Sequence, residues 1–498
     1  MPRPNFLIFM PDQLRADCVG CFGNPVVRTP NIDGLARRGT RFANAYINHP
    51  VCSPSRATLM TGWYPHTAGH RTLTHLIQPH EPNLLRYLKD GGYHVAWAGA
   101  RGDMFAPGVT EASTHFSGWL TRPKQTQRGM GPQYPPGSAL YHAFYHGKRE
   151  GNETWLDFDE AATRTAEQWL AGHPNGPWCL FVPLIFPHLP FEVEEPWYSL
   201  HDAQDMPQPI AAGATRGKPR FMAALRDRFH LDQLSAGDWA EIARVYYGMI
   251  ARVDSQLGRV LDSVDALGAT ATTNVLFFTD HGEYLGDYGL VEKWPAGLDD
   301  CITHNPLIFA GPDAAAGKVA ESFVEMVDIM PTILELAGVP VRHSHFGRSF
   351  VPLLRDATTA HRDQAFTEGG FRAEDEPLLE QSTGEYQGKG ELQHEQPRLV
   401  GKAIAMRISE WTYVYRQYET DELYDRNADP RETTNLLAGA TADAPAHVVA
   451  ARLRGEVMTW LLDTSDVFPW QPDPRFPKVP HGQHTAFPDT RHTEGQDP

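Results

Sequence analysis

Four short apolar runs along the chain predict buried β-strands. Each run is too short to be a buried helix, and polar or turn-forming residues follow closely after each one. The runs are residues 6–10, 93–98, 180–185 and 274–279.

Amphipathic segments predict helices between and after these strands. The segments are residues 29–41, 82–91 and 239–267, and the first has a helix-stop signal at Gly39. Strands that alternate with helices predict an α/β fold, in which one large, mainly parallel sheet is sandwiched by helices.

Polar residues that suit a metal or anion site follow three of the predicted strands. Asp12 follows the first, His188 follows the third, and Asp280 with His281 follows the fourth. Ligands of such sheets bind beyond the carboxyl ends of the strands, where these side chains would meet.

The pattern changes towards the C-terminus. Residues 371–398 are rich in Glu and Gln and indicate a polar insertion or long loop, whereas residues 402–416 alternate as in a small antiparallel sheet. We therefore predict a catalytic domain over 1–365, a C-terminal subdomain over 366–468, and a Pro-rich tail over 469–498.

The net charge of the chain argues against some classes of binding partner. The 498 residues carry a formal net charge of -17, which disfavours binding to nucleic acid or to an anionic membrane. No stretch approaches about 18 uninterrupted apolar residues, and the first apolar run is too short for a signal peptide. These features predict a cytoplasmic protein and leave its oligomeric state open.

The five cysteines do not form a disulfide pattern, because their number is odd and their spacing is wide. Cys18 and Cys21 form a C-x-x-C pair without the second pair that a zinc site needs. We expect buried thiols there. Cys52 stands apart, since it opens the stretch CSPSRATLMTG at residues 52–62.

The strand-end residues suit a hard cation better than zinc. Asp12, Gln13 and Asp280 offer oxygen atoms and His281 offers one imidazole, a set that fits Ca²⁺, Mg²⁺ or Mn²⁺. Taken alone, Asp-His-Gly is more typical of a turn that ends a strand, because Asp and Gly are common turn residues. Arg56, His188 and Lys293 could each contact an anion or transfer a proton, although each has an ordinary structural explanation when considered singly.

The stretch CSPSRATLMTG resembles the signature of the type I sulfatases of the alkaline phosphatase superfamily. In that family the first Cys is oxidised after translation to formylglycine. Further segments resemble the family in the right order, and these are NFLIFMPDQLRAD, FPHLPF, FFTDHGEYLGDYGLVEK and ELYDRNADPRETTNLL.

This resemblance implies a role for each matching residue. Asp12, Gln13, Asp280, His281 and the modified Cys52 would bind one divalent cation, for which we favour Ca²⁺. Arg56 would orient the formylglycine hydrate, while His188 and Lys293 would bind the sulfate and assist departure of the alcohol. Maturation would require a formylglycine-generating enzyme as a partner.

One motif departs from the family. Most sulfatases carry G-K-W-H after the second predicted strand, with a Lys that contacts the sulfate and a His that acts as a base. This chain has Gly-Ala-Arg-Gly-Asp-Met at residues 99–104. Arg101 is our candidate for the anion contact and His70 for the base. Phosphonate monoester hydrolases share this departure and the Gln after the first Asp.

These features are compatible with three alternative functions. The first is hydrolysis of a small anionic sulfate ester, and residues 62–75 and 77–95 resemble bacterial sulfatases that act on glycosaminoglycans and other sulfated sugars. The second is hydrolysis of phosphonate monoesters or phosphodiesters. The third is binding of anions or sugars without catalysis, which predicts an unmodified Cys52.

Overall fold

The computed structural model of this chain describes residues 3–99, 103–120, 126–127, 131–150, 156–468 and 474–475. Its largest element is an eight-stranded sheet. In chain order its strands are β1 Asn5–Asp12, β2 Gly39–Phe42, β3 His94–Ala98, β4 Phe116–Gly118, β5 Trp178–Pro187, β6 Thr273–Phe277, β7 Ile308–Ala310 and β8 Lys318–Ala320.

The sheet is mainly parallel, as the alternation of strands and helices predicts. Its strand order is β8-β2-β7-β6-β1-β5-β3-β4, and only β7 runs antiparallel to its neighbours. The central strand β1 lies parallel to both β6 and β5. The carboxyl ends of these three strands therefore meet at one edge of the sheet.

Helices cover both faces of this sheet. The α-helices are α1 Pro30–Arg38, α2 Cys52–Thr61, α3 Pro65–Ala68, α4 Leu84–Asp90, α5 Val109–Ser113, α6 Ala139–His142, α7 Phe158–Ala171, α8 Arg220–Phe229, α9 Ala236–Ala266, α10 Asp300–Thr303, α11 Ile329–Ala337, α12 Val351–Arg355, α13 Gln387–Glu395 and α14 Pro445–Asp463. Within the described part of the chain, none is long and apolar enough to cross a membrane.

The side chains of β1 show why its apolar run is continuous. Leu7 and Phe9 belong to the core that includes α1, α7, α8 and α9, whereas Phe6, Ile8 and Met10 belong to the core that includes α2, α4 and α11. Successive side chains of a strand point to opposite faces, so a strand covered on both sides needs apolar residues throughout.

A second, antiparallel sheet lies in the C-terminal part of the chain. Its strands are β9 Ala365–Gly369, β10 Ala403–Arg407, β11 Trp411–Arg416 and β12 Glu422–Asp425, paired in that order. The predicted alternation over 402–416 therefore corresponds to two strands joined by a turn. The domain limits at 365 and 468 remain predictions.

The segment 371–398 differs from the expected long loop. It folds into helical turns at Ala373–Leu378 and Gly384–Tyr386 and into helix α13. Few apolar residues mark it in the sequence, because its buried apolar side chains are only Phe371, Leu379 and Leu392. Its contacts to distant parts of the chain, described below, hold it in place.

Candidate active site

Strands β1 and β6 bring the two predicted metal-binding motifs together. Asp12 is the last residue of β1, and Asp280 follows β6 by three residues. Gln13 turns the chain with a φ of 66°, and its backbone N–H donates to Asp280 Oδ1 over 3.2 Å. This turn fixes one strand end to the other.

Helix α2 presents Cys52 and Arg56 to the same place. Cys52 is the first residue of the helix, and all ten residues of the helix are buried. Residues four apart lie on one face of a helix, so Arg56 lies one turn below Cys52. The four-residue spacing of Cys52 and Arg56 therefore places both side chains on the same side of helix α2.

Four buried donor groups form a candidate metal centre. One ligand atom from each of Asp12, Cys52, Asp280 and His281 lies within 4.8 Å of the others. His281 Nε2 is 3.1 Å from Cys52 Sγ and 3.4 Å from Asp12 Oδ1. His281 Nδ1 donates to the Gly282 carbonyl over 2.9 Å, which leaves the Nε2 lone pair facing the cluster. Burial lowers the pKa of His281 to about 3, so the imidazole is neutral and able to bind a cation.

Arg56 holds the carboxylates around this centre. Its guanidinium donates to Asp12 Oδ2 and Asp280 Oδ2, each over 2.8 Å, and to Asp103 Oδ1 over 3.1 Å. Three carboxylates thus surround one fully buried guanidinium. The excess negative charge and the two carboxylate ligands fit a hard divalent cation at this position.

Gln13 lies beside the metal centre, but its amide has other partners. The side-chain N–H donates to the Glu283 carboxylate, and the oxygen accepts from Lys293 Nζ over 3.1 Å. The role of Gln13 as a metal ligand stays a prediction. Its observed contacts connect the metal centre to Lys293.

His188 and Lys293 form a buried pair next to this centre. Lys293 Nζ lies 3.2 Å from His188 Nε2 and 2.6 Å from Glu292 Oε1. His188 Nδ1 donates to the Leu189 carbonyl over 2.8 Å, so Nε2 is the atom that accepts from Lys293. A proton on this pair is within reach of a group bound above Cys52.

A cavity of about 770 Å³ opens above Cys52. Cys52, His188 and Lys293 line it on the side of the metal centre. Arg71 and Asp103 also line it. Almost half of the lining residues come from the C-terminal segment 371–393. His188, Lys293 and the start of helix α2 therefore share one pocket with a part of the chain that the family motifs do not cover.

The structure places His70 away from its expected position. Its Nδ1 donates to the His75 carbonyl over 2.9 Å and its Nε2 lies 3.2 Å from Glu81 Oε1. The neighbouring Arg71, not His70, lines the cavity among the described residues. His70 therefore stabilises a loop, and its expected role as a base has no support in this geometry. The other expected substitute, Arg101, lies outside the described residues.

Sequence reasoning missed five charged residues that line the cavity, and these are Arg71, Asp103, Glu292, Glu380 and Lys389. Asp103 had a detectable signal, because it follows a predicted strand end as Asp12 does. Glu292 precedes a residue that the family pattern identifies. Lys389 lies in a polar segment without a family counterpart, so no local pattern marks it.

Binding of a cation should stabilise the protein. Titration with Ca²⁺ after treatment with EDTA is expected to raise the free energy of unfolding by about 2.7 kcal/mol at a hundredfold excess over Kd. Differential scanning calorimetry measures this shift. Asp280→Asn should remove most of it, whereas Asp90→Asn, a change at the exposed end of α4, should leave it unchanged. An equal shift in wild type and Asp280→Asn would place the cation elsewhere.

Comparisons with known proteins agree with the fold and the motif order. The model of the Sulfatase family matches residues 4–339. A sulfatase of Formosa agariphila is 26% identical over 496 residues, which cover 94% of this chain and 89% of that protein. The solved phosphonate monoester hydrolase of Agrobacterium radiobacter has a TM-score of 0.71 at 25% identity, covering 93% of this chain and 96% of that one. A solved 2-O GAG sulfatase shares the fold, with a TM-score of 0.68, 22% identity, and 93% and 92% coverage.

The sheet, its helix layers and the acidic strand-end centre define a hydrolase with the fold of the alkaline phosphatase superfamily. The family match covers well over half of the chain. The chain therefore belongs to the Sulfatase family, and it is an enzyme of the sulfuric ester hydrolase type.

Proposed function

We propose that this enzyme hydrolyses sulfate esters of small carbohydrates and that it uses Cys52 after oxidation to formylglycine. The observation that carries the proposal is the position of Cys52. It begins helix α2 at the floor of the cavity, and its Sγ is 3.1 Å from His281 Nε2 in the acidic centre. The net reaction consumes one water and yields the alcohol, sulfate and a proton.

The residues around Cys52 have complementary roles in this proposal. A bound cation and the aldehyde hydrate at position 52 would together supply an acidic hydroxyl as the nucleophile. Arg56 orients the carboxylates of Asp12 and Asp280 and keeps a positive charge beneath the hydrate. Lys293 faces the negative charge that develops on the sulfate oxygens, and the His188–Lys293 pair places a proton near the departing oxygen.

The walls of the cavity favour a sugar as the alcohol. Gln381, Ser382, Thr383 and Gln393 offer amide and hydroxyl groups, and Tyr386 adds an aromatic ring. Such groups can hydrogen-bond to ring hydroxyls and pack against a sugar face. For the cation, the oxygen-rich donor set favours Ca²⁺ over zinc.

Hydrolysis of phosphonate monoesters or phosphodiesters is the second candidate. Two observations favour it: Gln13 follows Asp12 where many sulfatases have a second Asp, and the solved phosphonate monoester hydrolase resembles this fold over 93% of the chain. Parallel measurements of kcat/KM on an aryl sulfate, a phenylphosphonate monoester and a phosphodiester rank the two functions. We expect the sulfate to be the best substrate, and the lowest value for the sulfate would reverse the order.

The state of Cys52 can be measured directly. In protein coexpressed with a formylglycine-generating enzyme, the tryptic peptide with residue 52 should be about 18 Da lighter than the thiol form. Carbonyl-reactive reagents should label the same peptide. Protein made without the maturation enzyme serves as the control. A peptide that retains its thiol in both samples would support binding without catalysis.

A further inference from the structure

The segment 371–400, which we call the cap segment, forms a fixed wall of the active site. Trp294 Nε1 donates to the Leu399 carbonyl over 2.9 Å, and the Phe371 N–H donates to the Val400 carbonyl over 2.7 Å. The ring of Tyr386 packs against Phe144 with centroids 4.7 Å apart. The bond between Phe371 and Val400 closes the segment on itself, whereas the contacts of Leu399 and Tyr386 reach distant parts of the catalytic domain and hold the cap segment in place.

Lys389 of α13 reaches from the cap segment into the catalytic residues. Its ammonium donates to the Lys293 carbonyl and to the Glu292 carboxylate, and its side chain is only 12% exposed. It also lines the cavity that contains Cys52. A lysine without a local function would keep its ammonium in water.

Lys389 and Lys293 place two positive charges beside one carboxylate at the cavity. Glu292 uses one carboxylate oxygen for Lys293 and the other for Lys389. Two ammonium groups therefore share one carboxylate at the end of the cavity nearest the catalytic pair. Burial lowers the pKa of Lys389 to about 7, and the nearby charges of Glu283 and Cys52 oppose this effect. An anion bound beside it would stabilise the charged form.

Lys389 is a candidate replacement for a lysine that this chain lacks. The segment 99–104 lacks the Lys with which most sulfatases contact the sulfate, and in this chain Asp103 lines the cavity there. A cation supplied from another segment can perform the same task, because electrostatic stabilisation depends on position and not on chain order.

We propose that Lys389 is a substrate-binding residue that contacts the sulfate group together with Lys293, in place of the Lys that the segment 99–104 lacks. This inference rests on the proposed sulfatase function. In this proposal the cap segment has two roles: it lines the part of the pocket that binds the alcohol, and it supplies Lys389 to the sulfate.

The test compares mature wild type with Lys389→Met and Lys389→Arg. The substrate is 4-nitrocatechol sulfate and the competitive inhibitor is inorganic sulfate. Lys389→Met should lower kcat/KM by about 10²–10³-fold, in the range found for loss of one transition-state donor. It should also raise the Ki of sulfate, and Lys389→Arg should recover part of both effects.

The controls separate this inference from its alternatives. Arg398→Met changes an exposed cation of the same segment and should leave kcat/KM and Ki unchanged. Wild-type activity towards the aryl sulfate is measured first, and its absence would reject the proposed function itself. With an active wild type, an unchanged Ki for sulfate in Lys389→Met and Lys389→Arg would overturn the role of Lys389. A loss of sulfate binding in Arg101→Met alone would overturn it as well.

Discussion

Cys52→Ala should give a folded protein whose sulfatase activity is lower by about 10⁴–10⁶-fold, as found when a covalent nucleophile is removed. Alanine cannot be converted to an aldehyde, and it also removes one of the four groups around the candidate metal centre. Residual turnover would come from binding and from the remaining charges. The side chain is small, so the core around helix α2 should remain intact.

Two measurements make this result specific. Steady-state kinetics of the mature protein give kcat/KM, and urea unfolding shows whether the fold is kept. Cys179→Ala is the matched control, because Cys179 is a fully buried thiol in β5 that lies outside the cavity lining. That variant should lose about 1 kcal/mol of stability and keep its kcat. If Cys52→Ala kept kcat/KM within tenfold of wild type, the nucleophile would have to be another group.

Arg56→Met is expected to destabilise the protein by about 3–5 kcal/mol and to abolish activity. The guanidinium is fully buried and holds the carboxylates of Asp12, Asp103 and Asp280. Its removal leaves negative charges close together in a site with little water. Arg56→Lys should rescue little, because one ammonium cannot replace a planar group that donates in three directions.

The electrostatic explanation also predicts that the stability of Arg56→Met depends on Ca²⁺. Saturating Ca²⁺ should recover part of the lost free energy of unfolding, because the cation compensates the same carboxylates. Urea titrations with Ca²⁺ and with EDTA measure the difference. Arg37→Met, at an exposed position of α1, should change stability by less than about 0.5 kcal/mol. A loss for Arg56→Met that is small and independent of Ca²⁺ would contradict this account.

Local patterns predicted the strands and most of the catalytic centre. The runs that became β1, β3, β5 and β6 were recognisable, because strands covered on both faces must be apolar throughout. Asp12, Asp280 and His281 follow such strands, and the Cys52–Arg56 spacing corresponds to one helical turn. Each of these features depends on residues that are close in sequence.

Two parts of the site could not be predicted in this way. His70 was expected in the cavity, but its imidazole contacts Glu81 and the His75 carbonyl, and Arg71 lines the cavity. Residues 371–398 were expected as a polar insertion or long loop, and nothing in that pattern marked Lys389 as a residue of the cavity. The order of the cap segment depends on contacts such as that between Trp294 and Leu399, which are far apart in sequence.

The sequence by itself determined the class of the sheet and the acidic residues at the strand ends, and its family motif singled out Cys52 as the candidate reactive residue. These properties follow from hydrophobic periodicity, strand-end placement and helical spacing, which are local. Only the tertiary structure decided which charges from distant segments line the cavity, where Asp103 contacts Arg56 and Lys389 contacts Glu292. Such positions depend on how distant segments pack against each other, and no short stretch of sequence encodes that packing.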